Sequence, residues 1–266
     1  PRSTQCRSSA ASDVYKRQLF VTCLTDTFYP RVGVAVVRVL RHFGCHVEFP
    51  DGQTCCGQPA YNSGFHAEAR AAARRLIDCF ERFEHVVTPS ASCAATVRDH
   101  YPELFASDAA WQRRAASLAG RVREFTVFLR EVLGVEPAPL LRIREDVTLH
   151  YPCHARGVVA HEALTGLLAA AGGPRFRPTP AADVCCGFGG VFGVEMPEIS
   201  AAMMQDKLAA LRDSGARTVV CNEGGCTLHL SGGARRTRLP LRFVHLAELL
   251  AESLGLLPIE GPEVGG

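Results

Sequence analysis

Cys185-Cys186-Gly187-Phe188-Gly189-Gly190 is a pair of adjacent cysteines running directly into glycines, and Cys55-Cys56-Gly57 is an earlier copy of it, 130 residues upstream. Ahead of each pair another cysteine closes an apolar, strand-like run: Cys23 after Leu19-Phe20-Val21-Thr22, and Cys153 after Val147-Thr148-Leu149-His150. These two are also 130 residues apart. Beyond each pair a further apolar run leads to one more cysteine, Cys93 after Val86-Val87-Thr88-Pro89 and Cys226 after Thr218-Val219-Val220. Self-similarity over half a chain marks a duplicated unit. A single cysteine is ordinarily a small buried hydrophobe. Eight of them repeating in register at predicted strand ends are better explained as soft-metal ligands.

Working outward, the chain alternates strands and helices. After Pro30, apolar residues Val32, Val36, Val39, Leu40 and Phe43 recur at helical spacing and stop at Gly44. Val47-Glu48-Phe49 reads as a strand and Pro50-Asp51-Gly52 as the turn into the first cysteine pair. A helix is expected from about His66 to Phe83, with Cys79 in its core face, then a strand His85 to Thr88, then a helix beginning near Cys93. A helix N-terminus lowers a thiol pKa and so favours the thiolate needed for metal binding. Asp108 to Leu133 reads as one helical stretch with Trp111 packed in it, and the proline-containing segment Val135 to Asp146 as the boundary between lobes. The second half repeats the order, with strands at Val147 to His150, Arg175 to Arg177, Val219-Val220 and Leu241 to Val244. Its helices are expected around Leu164 to Ala171, after Pro197 to just before Gly215, and from Leu246 to Leu254.

The expected fold is α/β: two tandem duplicated lobes, 19–134 and 147–254, each an open, mainly parallel sheet flanked by helices, with the cysteines at strand C-terminal ends. Ligands gather at such ends. Residues 1–18, polar and without an apolar centre, are read as a non-native or disordered leader, an Arg- and Ser-rich transit peptide being the alternative, and 255–266 as a tail.

Lysine and arginine number 29 against 27 acidic residues, so the net charge of +2 gives no electrostatic case for nucleic acid. No apolar stretch reaches membrane-span length. Twelve cysteines in a chain of this size, without a secretory leader, point to a reduced, cytoplasmic setting rather than a disulfide framework.

Four thiolates suit tetrahedral zinc or an iron–sulfur cluster. Structural zinc sites commonly use two close pairs. Here the ligands come from three distant loops, and two are adjacent. Adjacent side chains in extended backbone point apart, so both can face one centre only across a turn, which Gly57 and Gly187 permit. A cluster offers several iron corners to such a pair and is the favoured reading, with zinc as the alternative. Cys23, Cys55, Cys56 and Cys93 would form one set, and Cys153, Cys185, Cys186 and Cys226 the other, up to one centre per lobe. Gly189 and Gly190 leave room for backbone amides near sulfur. They do not complete a dinucleotide fingerprint, because the third glycine position holds Phe192. His154, beside Cys153, is read as a hydrogen-bond donor to sulfur rather than a ligand. No catalytic residues are assigned.

At these residues the chain resembles the cysteine-rich CCG-domain proteins, which include the heterodisulfide reductase B subunit and the glycolate oxidase iron–sulfur subunit. Within them it is most similar to the lactate utilisation protein A family. The resemblance rests on Phe20-Val21-Thr22-Cys23-Leu24, Gly52-Gln53-Thr54-Cys55-Cys56-Gly57-Gln58-Pro59, Tyr151-Pro152-Cys153-His154, the second cysteine–glycine stretch, Met196-Pro197-Glu198-Ile199-Ser200 and Gly225-Cys226. It implies a cytoplasmic protein that works with iron–sulfur and accessory subunits in oxidising L-lactate, a small 2-hydroxy acid, to pyruvate.

The wider pattern ends each repeat in C-x-x-C. Here Ser90 and Glu223 stand at the first positions, which leaves four cysteines per lobe and points away from a five-thiolate, non-cubane cluster. Clusters of the 4Fe-4S type are expected, with Cys221 a candidate substitute ligand. The expected function is therefore an iron–sulfur electron-transfer subunit, an oxidoreductase component acting only with its partners. The alternatives are a glycolate oxidase-type or heterodisulfide reductase-type subunit and a zinc-stapled assembly protein. Its extra glycines and His154 mark the second lobe as carrying the more important site.

Overall fold

The computed structural model describes residues 16–259. The first lobe runs β1 (Lys16–Leu19), α1 (Cys23–Phe28), α2 (Pro30–His42), β2 (His46–Glu48), α3 (Gln58–Asn62), α4 (His66–Phe80), β3 (His85–Thr88) and α5 (Ala91–Ala95). A π-helical segment, Thr96–His100, carries α5 into α6 (Tyr101–Leu104), and α7 (Ala109–Ala119), β4 (Val122–Glu124) and α8 (Phe125–Val127) follow. The second lobe runs β5 (Val147–His150), α9 (His161–Gly172), α10 (Phe192–Glu195), α11 (Pro197–Asp213), β6 (Thr218–Cys221), α12 (Gly224–Arg236), β7 (Arg242–Val244) and α13 (Leu246–Ser253).

Each lobe is an open parallel sheet. The first has strand order β2-β1-β3-β4, with Leu19 opposite Val87 and Val87 opposite Arg123. The second has order β5-β6-β7, and a single parallel bridge between Val147 and Phe176 stands where β2 stands in the first. The duplicated α/β architecture expected from the cysteine repeat is present.

Three local expectations are corrected. The strand expected at Arg175 to Arg177 is only that bridge, because Gly173–Arg175 is wound into a 3₁₀ turn with Pro174 inside it. The single helix expected from Asp108 to Leu133 is broken: α7 ends at Ala119, Gly120 and Arg121 turn the chain, and β4 pairs with β3 before α8 begins. Burial decides this, since Val122 and Glu124 fit the open edge of the sheet. Finally, β1 begins at Lys16, so Lys16, Arg17 and Gln18 belong to the first sheet rather than to a leader. The remainder of that expected leader, residues 1–15, and the end of the expected tail, residues 260–266, lie outside the described residues.

The lobes share one core. Val36, Val39 and Leu40 of α2 lie in a single apolar cluster with Leu246, Ala247 and Leu250 of α13, and Phe128 and Leu129, just after α8, lie in it with Leu164, Leu167 and Leu168 of α9. The last helix of the second lobe thus packs on the first long helix of the first, and the end of the first lobe shares the same core with α9. Smaller cores fill the outer side of each sheet, around Phe20, Leu76 and Phe80 in the first lobe and Leu208, Leu211 and Leu230 in the second. At the rim of the interface Arg31 of α2 reaches Glu248 at 3.4 Å and Glu252 at 2.7 Å.

Candidate metal centre

The parallel sheets place all eight repeated cysteines at or just beyond strand C-terminal ends. Cys23 opens α1 after β1, Cys93 sits in the first turn of α5 after β3, and Cys226 in the first turn of α12 after β6. Cys153 begins a 3₁₀ turn after β5. The cysteine pairs arrive on the long loops before α3 and α10. Thr22, immediately before Cys23, has φ 72°, a strained value for a β-branched residue, and its hydroxyl donates to Thr25 Oγ1 at 3.0 Å.

In the second lobe Cys185 Sγ lies 3.8 Å from Cys153 Sγ, and Cys186 Sγ lies 3.2 Å from Cys226 Sγ. Cys185 and Cys186 also act on each other's protonation, which links the two contacts. In the first lobe the same neighbours act on one another's protonation, Cys23 with Cys55, Cys55 with Cys56, and Cys56 with Cys93. Neighbouring members of each expected set thus influence one another, and the ligand atoms of Cys186, Cys226 and His150 all lie within 4.8 Å of one another.

Two glycines explain how adjacent cysteines face one centre. Gly57 has φ 85° and Gly187 φ 86°, left-handed values that turn the chain straight after the pair. The turn aims the Gly57 amide at Cys55 Sγ, 3.5 Å away, and the Gly187 amide at Cys185 Sγ, 3.4 Å away. Gly189 and Gly190 continue the turn at φ 53° and 64°, with Gly190 against Pro59 of the first lobe.

The electrostatics follow from thiols crowded together. Hydrogen bonds from Cys23 and Cys56, with the Gly57 amide, pull the Cys55 thiol down to about 3, against the cost of burial. The corresponding bonds from Cys153 and Cys186 hold Cys185 down to about 2. Their donors are pushed up: Cys23, Cys56, Cys153 and Cys186 hold their protons more tightly, chiefly because each donates to a neighbouring thiolate. A metal entering either set would displace the protons these thiols donate. Cys56, Cys93, Cys186 and Cys226 are buried and Cys23 is exposed, so each set has a dry inner side and an open rim. Four sulfur donors of this arrangement fit a soft metal or an iron–sulfur cluster and offer nothing to magnesium or calcium.

Surrounding groups sort the remaining expectations. His154 Nδ1 stands 3.5 Å from Cys153 Sγ, at the rim. Cys221 is fully buried at the end of β6, its Sγ 3.5 Å from the Glu223 carbonyl oxygen. Cys79 is half-buried, its thiol 3.7 Å from the Asp51 carbonyl oxygen.

Sequence reasoning missed two features. Ser90 and Glu223, noticed only as absent cysteines, bind each other across the lobes: Ser90 Oγ donates to both Glu223 oxygens at 3.0 and 3.1 Å, and the Ser92 amide to Oε2 at 2.9 Å. Burial nevertheless pushes the Glu223 carboxyl up. The other feature is His150, which is fully buried at the end of β5, in the group formed with Cys186 and Cys226. Burial drives its imidazole down to about 3, so it is neutral. Its position three residues before Cys153, where Phe20 stands three before Cys23, was the available signal.

Two parallel α/β lobes, each presenting one cysteine quartet at its strand ends, define a duplicated cysteine-rich α/β protein. The cysteine-rich domain named CCG matches residues 18–98 and 147–231. A lactate utilization protein A 2 of Bacillus cereus is 40% identical over 240 residues, covering 90% of this chain and 99% of that protein. Lactate utilization protein A of an Exiguobacterium species is 40% identical over 239 residues, covering 89% and 97%. The chain belongs to the CCG cysteine-rich family and, within it, to the lactate utilization protein A family. Among the described residues no helix is long and apolar enough to cross a membrane.

Proposed function

We propose that this protein is the iron–sulfur electron-transfer subunit of a cytoplasmic system that oxidises L-lactate to pyruvate. Cys23, Cys55, Cys56 and Cys93 would hold one centre and Cys153, Cys185, Cys186 and Cys226 the other. The observation that carries the reading is the contact of Cys185 with Cys153 and of Cys186 with Cys226 in the second lobe, together with the glycine amide aimed at the first sulfur of the cysteine pair in each lobe. The relatives' names supply the lactate context.

A bound cluster would supply one-electron storage, which no amino-acid side chain in the site offers. The chain's own residues do the rest. The amides of Gly57 and Gly187 stabilise negative charge on sulfur, and apolar side chains around Cys56 and Cys186 exclude water. Cys23, the exposed member of the first set, is where a partner subunit would reach a centre most directly. The chain carries no flavin or nicotinamide fingerprint, so the group that takes hydride from the 2-hydroxy acid is assigned to a partner.

Anaerobic purification with iron and sulfide analysis, followed by a redox titration read by electron paramagnetic resonance, tests the proposal. Iron with equimolar labile sulfide and a reversible signal are expected. Colourless protein containing zinc and no sulfide would replace this reading with that of a zinc-stapled assembly protein. Growth of a strain lacking the gene, complemented and fed lactate or glycolate, separates the two 2-hydroxy acids.

A further inference from the structure

The two lobes differ at one wall of their cysteine sets. In the first lobe that wall is Phe20, buried with Cys56 and Cys93 and packed against Phe80 at a ring separation of 5.7 Å. A hydrocarbon ring there needs no partner. In the second lobe the position three residues before the first cysteine is His150, equally buried, and neither Nδ1 nor Nε2 has a hydrogen-bond partner among the described residues. One of its nitrogens lies within 4.8 Å of the sulfurs of both Cys186 and Cys226.

Buried polar atoms are almost always satisfied, and a buried imidazole with two unpartnered nitrogens is an exception that needs a reason. Lys207 does not supply one: its ammonium donates to the carbonyl oxygens of Ala181 and Ala182, at 3.1 and 3.0 Å, and has no lone pair to offer the ring. A metal held by the neighbouring thiolates would. Imidazole nitrogen and thiolate sulfur are compatible donors to zinc and to the irons of sulfur clusters alike.

We propose that His150 is a nitrogen ligand in the second-lobe centre, adjoining Cys186 and Cys226 as ligands of the same centre. The centre of the second lobe is then mixed in nitrogen and sulfur, while that of the first, walled by Phe20, is sulfur alone. The inference rests on the metal-centre reading but on neither the lactate assignment nor the kind of metal.

Cobalt(II) serves as the probe, added anaerobically to the reduced, metal-free full-length chain and followed by absorption and paramagnetic proton NMR. The wild type should show thiolate-to-cobalt charge-transfer bands and an exchangeable, strongly shifted imidazole N–H resonance. His150→Phe, which installs the side chain already present at this place in the first lobe, should lose that resonance and bind its second-lobe cobalt about tenfold or more weakly, while keeping the first-lobe bands. His154→Phe should retain the resonance, and Cys186→Ser should lose it. Charge-transfer bands without an imidazole resonance in the wild type, or a resonance that survives His150→Phe, would overturn the assignment and leave the metal reading standing. Absence of thiolate–cobalt bands altogether would overturn both.

Discussion

Gly187 concentrates the chemistry of the site in one residue without a side chain. Its left-handed backbone turns Cys185 and Cys186 toward one centre, and a methyl group placed on it would lie 2.6 Å from the Ser200 carbonyl oxygen and 2.8 Å from Met203 Cβ. Gly187→Ala is therefore expected to cost about 1–3 kcal/mol of stability through backbone strain alone, and more once α11 is displaced. Urea denaturation of the two proteins measures the cost. Gly57 has more room, its nearest neighbours at 3.3 Å, so Gly57→Ala should be the milder change. Among the cysteines, Cys186→Ser is expected to remove the second-lobe metal, leave the first-lobe metal in place and abolish growth on lactate. Cys56→Ser should impair growth less, because the second lobe has the larger set of polar groups around its sulfurs. Iron analysis, circular dichroism and complementation check the pair, and equal loss of growth with both proteins folded would reverse the ranking.

At the scale of elements, the strand-to-helix junctions at the interface carry buried polar caps. Glu124 ends β4 and accepts from the Thr126 and Val127 amides, opening α8; His245 follows β7, accepts from the Ala247 amide and opens α13. The two are equivalents under the duplication. Burial, opposed by those hydrogen bonds and reinforced by nearby Glu223, raises the Glu124 carboxyl to about 7. A carboxyl that holds its proton more tightly folded than unfolded contributes stability that is present in full below its unfolded value and is lost as pH rises through its folded value. From about pH 4.5 to 7 the wild type should therefore lose on the order of 3 kcal/mol relative to Glu124→Gln, whose neutral amide can still accept the cap bonds. Denaturation midpoints of both proteins across that range give the difference, and parallel curves would show that Glu124 stays ionised.

Over the whole molecule, the apolar cluster that runs through both lobes argues for one folding unit. Leu250 of α13 is fully buried against α2 of the other lobe, and Leu250→Ala should cost about 2–5 kcal/mol. Trp111, the sole tryptophan, lies in the first lobe, half-buried and stacked on Phe105 with ring centres 5.7 Å apart. Its fluorescence therefore reports a lobe that Leu250 does not belong to. If the lobes fold as one, the substitution shifts the Trp111 transition and the far-ultraviolet transition together; a Trp111 transition left where it was would mean two independent units. Arg31→Ala, which removes rim ion pairs at a partly exposed site, should cost about 1 kcal/mol or less.

The duplication, the parallel α/β class and the eight cysteines were all legible in the sequence, because covalent spacing at a fixed offset survives any packing and strand-to-helix alternation leaves a local hydrophobic period. The β4 strand and the missing partner strand near Phe176 were not, since a three-residue edge has no period of its own and exists only by pairing with a sheet already formed. Nor was the union of Ser90 with Glu223, two residues far apart in the chain that meet only because the lobes dock face to face. His150 falls between the two cases. Its place beside the first cysteine could be read by aligning the halves, but a histidine on a strand is ordinarily satisfied within its own surroundings. Only the tertiary structure shows that both of its nitrogens are buried, unpartnered and set against cysteine sulfur, because burial and hydrogen-bond satisfaction are properties of the packed interior and not of the chain.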